Sequence, residues 1–143
     1  MQRFPSENWF DAVRAEYNED LSLHSGGGGA CDTAAGMEMG DDFFRIVFAG
    51  HRCASVDQIE KADMGDLDFV IAMPIEVWQE MLEDIQRNGK ASANYTLNSI
   101  DLRSEESIAY SPIDDQYRQD LFYRYNQNFQ DFMNASARIE TSF

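Results

Sequence analysis

Few residues in this chain combine the types and spacings that catalysis or metal binding needs. A nucleophile needs a serine or cysteine with a base in reach, and the sequence contains no Gly-x-Ser-x-Gly elbow. The two histidines, His24 and His51, stand apart, and neither a His-Glu-x-x-His nor a paired Cys-x-x-Cys pattern occurs. We therefore predict no catalytic residue, no metal ligand and no cofactor, and the sequence favours a binding protein over an enzyme.

Two charged residues in apolar surroundings are the remaining candidates for chemistry. Asp68 interrupts the apolar run from Leu67 to Met73, and its spacing fits an outward-facing strand residue. The alternative is a buried acid with a raised pKa that lines a pocket and acts as a general base. Arg124 stands between two tyrosines on a predicted helix. It either pairs with a carboxylate, stacks on a ring, or lies on the outer helix face over apolar surface.

The run Gly26-Gly27-Gly28-Gly29 is the most flexible part of the sequence. It lacks the Lys-Ser/Thr pair that follows a phosphate-binding loop. Because glycines are costly to order, we predict a flexible linker over 24–36. The two cysteines, Cys31 and Cys53, fit free thiols in a reduced compartment better than a disulfide scaffold.

Length and charge exclude several classes of partner. The chain has 143 residues, the size of one domain, and 43% of them are hydrophobic, which is too many for intrinsic disorder. A net charge of −15 argues against nucleic acid and against anionic lipid surfaces. No segment approaches the roughly 18 apolar residues of a membrane span, and the N-terminus lacks a signal-peptide pattern. We expect a cytoplasmic protein without stable membrane insertion, and association into a homodimer is left open.

The N-terminal half predicts one helix and three strands. Ser6 is a helix-capping residue, and Trp9, Phe10, Val13 and Tyr17 recur at helical spacing over 6–18. Phe44, Ile46 and Phe48 alternate with their neighbours at the period of a strand, and 51–56 reads as the returning strand of a hairpin. A third strand is predicted over 67–73.

The C-terminal half predicts two helices around an ambiguous segment. Pro74 and Gly89 frame an amphipathic helix over 75–87. We interpret 93–110 as one or two short strands. A final helix after Pro112 has the strongest apolar stripe, and the tail from Ile139 is expected to fray. The residues assigned to the inner face of this final helix are Tyr117, Leu121, Tyr125, Phe129, Phe132, Met133 and Ser136, with Phe122 beside them.

This order of elements predicts an α+β fold in a single domain, 1–143. Strands that follow one another without regular βαβ alternation favour a mostly antiparallel sheet of about five strands, with helices packed on one face. The domain comprises the N-terminal helix 6–18, the linker 24–36 and a core over 40–136.

Three consecutive segments carry a resemblance to a known family. They are Phe43-Phe44-Arg45-Ile46-Val47-Phe48-Ala49-Gly50, Asp68-Phe69-Val70-Ile71-Ala72-Met73-Pro74 and Ile75-Glu76-Val77-Trp78-Gln79-Glu80-Met81-Leu82. The pattern resembles sterol carrier protein type-two-like domains over about 40–136. In that family a hairpin leads to an apolar strand that carries an Asp and then directly into a helix with a large apolar residue.

The resemblance implies a hydrophobic tunnel for lipids, sterols or acyl chains between the helices and the sheet. By that analogy, the residues expected to line it are Phe48, Trp78, Met81, Phe122, Tyr125, Phe129 and Met133. The predicted function is non-catalytic binding of a hydrophobic small molecule. Two alternatives stay open: a small cone-shaped isomerase or hydrolase that uses a pocket carboxylate, and an accessory or dimerisation subunit.

Overall fold

The computed structural model describes residues 1–20, 22 and 31–143. His24 and the glycine run of the predicted linker therefore lie outside the described residues. The strands are β1 (Gln2–Arg3), β2 (Thr33–Met39), β3 (Asp42–Ala49), β4 (Arg52–Ile59), β5 (Val70–Met73), β6 (Ala109–Tyr110) and β7 (Thr141–Ser142). The helices are α1 (Glu7–Glu19), α2 (Ile75–Asn88), α3 (Leu97–Arg103) and α4 (Gln116–Asn134), with 3-10 turns at Lys61–Asp66 and Ala135–Arg138.

Five strands form the main sheet in the order β4-β3-β2-β5-β6. Only the β2–β5 pair is parallel, because the chain crosses over between these two strands, and the other three pairs are antiparallel. The predicted α+β class with a five-stranded, mostly antiparallel sheet is therefore confirmed. A separate two-stranded parallel ladder joins β1 to β7 at the chain termini.

The two faces of the main sheet are covered differently. The inner face carries alternate residues such as Phe44, Ile46 and Phe48, and it faces helices α1, α2 and α4 in one buried cluster. The outer face is covered by the turn at Lys61–Asp66, where Met64 and Leu67 form a small second cluster with Val70. Period-two alternation on β3 thus separates the two faces, as the sequence predicts.

Local signals fix the ends of the helices. The Ser6 side chain accepts a hydrogen bond from the Trp9 backbone N–H at 3.1 Å and so begins α1. Gly89 ends α2 in the left-handed conformation, at φ 81°, which glycine adopts without steric cost. The predicted helices over 6–18 and 75–87 are confirmed to within about one residue at each end.

Four sequence-based expectations need correction. Residues 33–36 of the predicted linker are the first half of β2, the central strand of the sheet. Most of the segment 93–110 is not strand: Thr96 caps helix α3, and only Ala109–Tyr110 pair as β6. The tail does not fray, since Thr141–Ser142 pair with β1. Tyr117, assigned to the inner face of α4, is exposed.

A candidate ligand-binding interior

The interior between the helices and the sheet is rich in aromatic and methionine side chains. Among the described residues, its buried cluster holds twelve aromatic rings and five methionines against nine Leu, Ile and Val residues. Methionine is flexible and adapts to irregular shapes, and aromatic rings meet preferentially edge to face. This composition distinguishes the interior from a core built mainly from branched aliphatic residues.

A continuous row of rings runs through this interior from α1 to the first turns of α4. Tyr17 lies 6.0 Å from Phe48, Phe48 lies 4.9 Å from Phe129, and both pairs meet edge to face. Phe69 continues the row, at 5.5 Å from Phe129 and 6.0 Å from Phe122. Strand β3 and the residue before β5 supply one side of the row, and helices α1 and α4 supply the other.

The seven residues predicted to line a tunnel are all buried, and the most accessible, Tyr125, is 9% exposed. Phe48, Phe122 and Phe129 belong to the ring row. On α2, Trp78 donates its indole N–H to the Glu38 carbonyl oxygen at 2.9 Å, and Met81 lies 4.0 Å from the Gln130 amide nitrogen. The prediction that these residues contact a ligand stays a prediction.

Sequence reasoning missed several side chains of the same interior. Met37 and Met39 project from β2 into the interior. The alternation of Ala35, Met37 and Met39 after the glycine run is the sequence pattern that could have predicted this strand. Phe69 precedes β5 and bridges two rings of α4. The apolar stripe of α1 is visible in the sequence, but the sequence does not show that this helix packs on the interior.

Asp68 has a structural role between two parallel strands. Its Oδ2 accepts a hydrogen bond from the Thr33 hydroxyl at 2.6 Å and a second from the Ala34 N–H at 3.3 Å. Its own backbone N–H donates to the Ala34 carbonyl oxygen at 2.8 Å. These contacts extend the β2–β5 pairing beyond Val70, so this carboxylate ties the two segments together.

Arg124 lies on the exposed side of α4, as the outer-face interpretation has it. Its guanidinium carbon is 5.4 Å from the centroid of the Tyr125 ring, within the range of a cation–π contact.

Neither cysteine is an activated nucleophile. Burial raises the pKa of the Cys31 thiol to about 12 and that of the Cys53 thiol to about 12. Both are therefore protonated at neutral pH, whereas nucleophilic attack needs the thiolate. Both thiols are free.

The Tyr17 phenol stays neutral at the α1 end of the row. Burial, with the nearby Asp131 carboxylate, raises its pKa above the ordinary value of 10.0.

Two surface cavities lie on the outer face of the sheet. One, of about 400 Å³, is lined by Arg45, Ile59, Ala62, Asp63, Gly65 and Asp66. The other, of about 330 Å³, is lined by Glu38, Gly40, Ala72, Met73 and Pro74. None of the seven predicted lining residues borders either cavity.

Within the described ranges, no group of three or more His, Cys, Asp or Glu side chains could hold a metal ion, and no helix has the length and apolarity needed to cross a membrane.

A solved structure is similar to this chain. It is the solution structure of a conserved hypothetical protein from Thermus thermophilus, for which a sterol carrier role has been suggested. The TM-score is 0.57 with 16% sequence identity, and the match covers 96% of this chain and 90% of that one. The two chains share a fold. No protein-family model and no curated protein matches the sequence.

Proposed function

We propose that this protein binds a hydrophobic small molecule, a lipid, sterol or acyl chain, without converting it chemically. The observation that carries the proposal is the composition of the interior, where aromatic and methionine side chains outnumber branched aliphatic ones. Methionine side chains reorient at low cost, so an interior that holds five of them can adapt to apolar ligands of different shapes. The fold shared with the Thermus protein supports the same interpretation.

The proposed site is the row of rings between β3 and α4, with Phe48 and Phe129 at its centre. Both side chains are at most 3% exposed. A ligand therefore enters only when α4 and the sheet separate locally and the rings rotate out of its path. We expect the free energy of binding to come from apolar burial, at about 0.8 kcal/mol for each methylene of the ligand.

A photoreactive fatty acid that carries a diazirine tests the location of this site. We expect the label on peptides that contain Phe48 or residues 122–133, and we expect unlabelled oleate to compete for it. Peptides from the outer face, such as 61–66, serve as the internal control. Labelling that is strongest on the outer face, or that oleate does not reduce, would contradict the proposal.

A matched pair of substitutions tests the same site by affinity. Phe129→Leu makes room in the ring row, and we expect it to tighten binding of cis-parinaric acid by about fourfold for each further methylene buried. Phe43→Leu is the control, because Phe43 packs in the outer cluster on the opposite face of the sheet. Equal effects of both substitutions would count against an interior site.

Native mass spectrometry of freshly purified protein tests the function as a whole. We expect a fraction of the protein to carry a bound apolar molecule that detergent or organic extraction removes. If the mass is that of the chain alone and no fatty acid, sterol or acyl thioester binds saturably, the proposed function is wrong.

A further inference from the structure

The exposed apolar side chains of this protein are concentrated in one segment. Apart from the terminal residues Met1 and Phe143, every large apolar side chain that the described part of the chain exposes lies between 102 and 123. They are Leu102, Ile113, Tyr117 and Tyr123, and they are between 50% and 76% exposed. Single exposed apolar residues are ordinary on protein surfaces, but their concentration in one segment indicates an interaction surface.

This segment, from the end of α3 through the first two turns of α4, is also acidic. It carries five carboxylates, at Glu105, Glu106, Asp114, Asp115 and Asp120, against two arginines, Arg103 and Arg118. Arg118 lies 3.7 Å from the Asp115 carboxylate, so one of the two positive charges is already paired. Exposed apolar side chains therefore lie among negative charges in this segment. We call residues 102–123 the acidic aromatic surface.

Hydrogen bonds hold the loop before β6 in place. The Asp101 carboxylate accepts from the Ser107 hydroxyl at 3.0 Å and from the Ile108 N–H at 2.9 Å. Ser107 lies 3.4 Å from the Tyr123 hydroxyl, which brings this loop against α4. The loop that contains Glu105 and Glu106 and the side chain of Tyr123 thus form one continuous part of the surface.

The turn after β6 is held in the same way. The Ser111 hydroxyl accepts from the Ile113 N–H at 3.3 Å and from the Asp115 N–H at 2.9 Å. Asp114 lies in the left-handed region, at φ 57°, which aspartate adopts more readily than most residues with a Cβ. The turn therefore holds Ile113 toward solvent, four residues before Tyr117, and neither side chain is buried in the chain's own core. Ordering a surface before binding reduces the entropy lost when a partner docks.

We infer that the acidic aromatic surface docks a basic segment of a partner protein, with an apolar side chain of that segment placed against Tyr117. Charge selects this occupant. A second copy of the chain would bring two acidic surfaces together, which like-charge repulsion opposes. Nucleic acid and anionic membranes are repelled for the same reason. Tyrosine is enriched in protein interfaces, where it supplies both apolar area and a hydroxyl group.

Chemical-shift mapping on the full chain tests the location of the docking surface. The probe is a short lysine-rich peptide with one central tryptophan. We expect shift changes at residues 102–123 that weaken as salt is raised, because exposed charges are screened. A lysine-rich peptide with a central glycine should bind at least about tenfold more weakly, the loss expected for a dominant apolar anchor. Shifts spread over all acidic regions, or equal binding of both peptides, would overturn the inference.

Two matched double variants separate a specific surface from overall charge. Glu105→Gln with Glu106→Gln removes two charges within the surface, whereas Glu80→Gln with Glu83→Gln removes two exposed charges from α2. We expect the first pair to weaken binding of the tryptophan-containing peptide several-fold more than the second. If the two pairs have the same effect, the peptide responds only to net charge and the inference fails.

Tyr117→Ser tests the apolar contribution, and its far-ultraviolet circular dichroism should be unchanged because Tyr117 is 73% exposed. We expect at least a tenfold loss of peptide affinity, and unchanged affinity would overturn the inference. Sedimentation equilibrium of the unbound chain should show a monomer. A dimer that Tyr117→Ser dissociates would identify a second copy as the occupant and overturn the inference as well.

Discussion

The carboxylate of Asp84 fastens the segment that follows α2 to the end of that helix. It is 3% exposed and accepts hydrogen bonds from the Ser92 N–H at 2.6 Å, the Ser92 hydroxyl and the Asn88 amide. Burial raises the pKa of Asp84, but the hydrogen bonds from Ser92 and Asn88 outweigh it and hold the pKa below the ordinary value of 3.8. The ionised side chain therefore stabilises the folded state.

We expect Asp84→Asn to lower the free energy of unfolding by about 1.5–3 kcal/mol at neutral pH, because hydrogen bonds to a charged group are lost. Since the folded-state pKa is lowered, the stabilisation is complete above pH 3.8 and is lost as pH falls through the folded-state pKa. Urea unfolding across the acid range measures this. The exposed neighbour Glu83 supplies the control, Glu83→Gln, and a difference between variants that did not shrink in acid would contradict the argument.

Gly36 illustrates a residue whose lack of a side chain is required by packing. A Cβ atom at this position would lie 3.0 Å from Leu67 Cδ1, 3.1 Å from Met64 Sδ and 3.1 Å from Val70 Cγ2. We expect Gly36→Ala to cost about 1–3 kcal/mol through overpacking of the outer cluster. Gly65→Ala is the control, because a Cβ there would meet nothing within 4 Å. Thermal unfolding should separate the two variants, and equal melting temperatures would show that the outer cluster yields without cost.

At the scale of elements, sequence patterns predict those helices and strands whose cause is local. The stripe of α1, the Pro74–Gly89 frame of α2 and the alternation of Phe44, Ile46 and Phe48 depend on residues close in sequence, and these elements are found as predicted. Strand β2 lacks such a signal. Gly36 and its small neighbours are typical of a linker, and they are strand only because β3 and β5 pair on both sides.

Segment 97–103 has a weak local pattern that suggests strand, but it forms helix α3 with Thr96 as its N-terminal cap. Thr96 accepts a hydrogen bond from the Ser99 N–H at 3.1 Å, and the Leu97 N–H donates to the buried Gln130 side chain at 2.7 Å. The second contact spans 33 residues of chain, so it is not visible in a local window. The seven residues predicted to line a tunnel lie on amphipathic elements and are buried, and their contact with a ligand stays a prediction.

Helix α1 covers the edge of the sheet that strand β4 forms. Without it, the unpaired backbone groups of β4 would be open to pairing with another chain. The Asn18 amide donates to the Cys53 carbonyl oxygen and accepts from the Cys53 N–H, both at 2.9 Å, as a neighbouring strand would. Glu7 accepts from the Gln58 N–H at 2.8 Å near the other end of β4. One face of α1 packs into the core while these polar residues pair with the edge strand.

We expect Asn18→Leu to leave both Cys53 backbone groups unpaired and to cost about 1–3 kcal/mol for each group that stays buried. Amide hydrogen exchange at Cys53 should accelerate, and light scattering should report a greater tendency to aggregate on mild heating. Asn8→Ala on the exposed face of the same helix controls for helix propensity. Unchanged exchange at Cys53 would show that α1 does not protect the edge through this side chain.

At the scale of the whole molecule, the two termini close the fold over α1. Strand β1 pairs with β7, the Trp9 indole N–H donates to the Thr141 hydroxyl at 2.9 Å, and the rings of Phe4 and Phe143 lie 6.1 Å apart. Phe4 and Trp9 are at most 1% exposed, and the centroids of their rings lie 4.8 Å apart. The C-terminal residues thus cover a wall of the same interior that the ring row crosses.

We expect removal of residues 141–143 to lower the melting temperature by several degrees, as a loss of about 1–2 kcal/mol does in a domain of this size. The fluorescence of Trp9 should shift to longer wavelength, because its indole gains access to water. Thr141→Val keeps the ladder and removes only the hydroxyl partner of Trp9, so it should reproduce a part of the loss. If the truncated chain has the same melting temperature as the full chain, the β1–β7 ladder adds nothing to stability. The sheet edge and α4 alone then hold α1 in place.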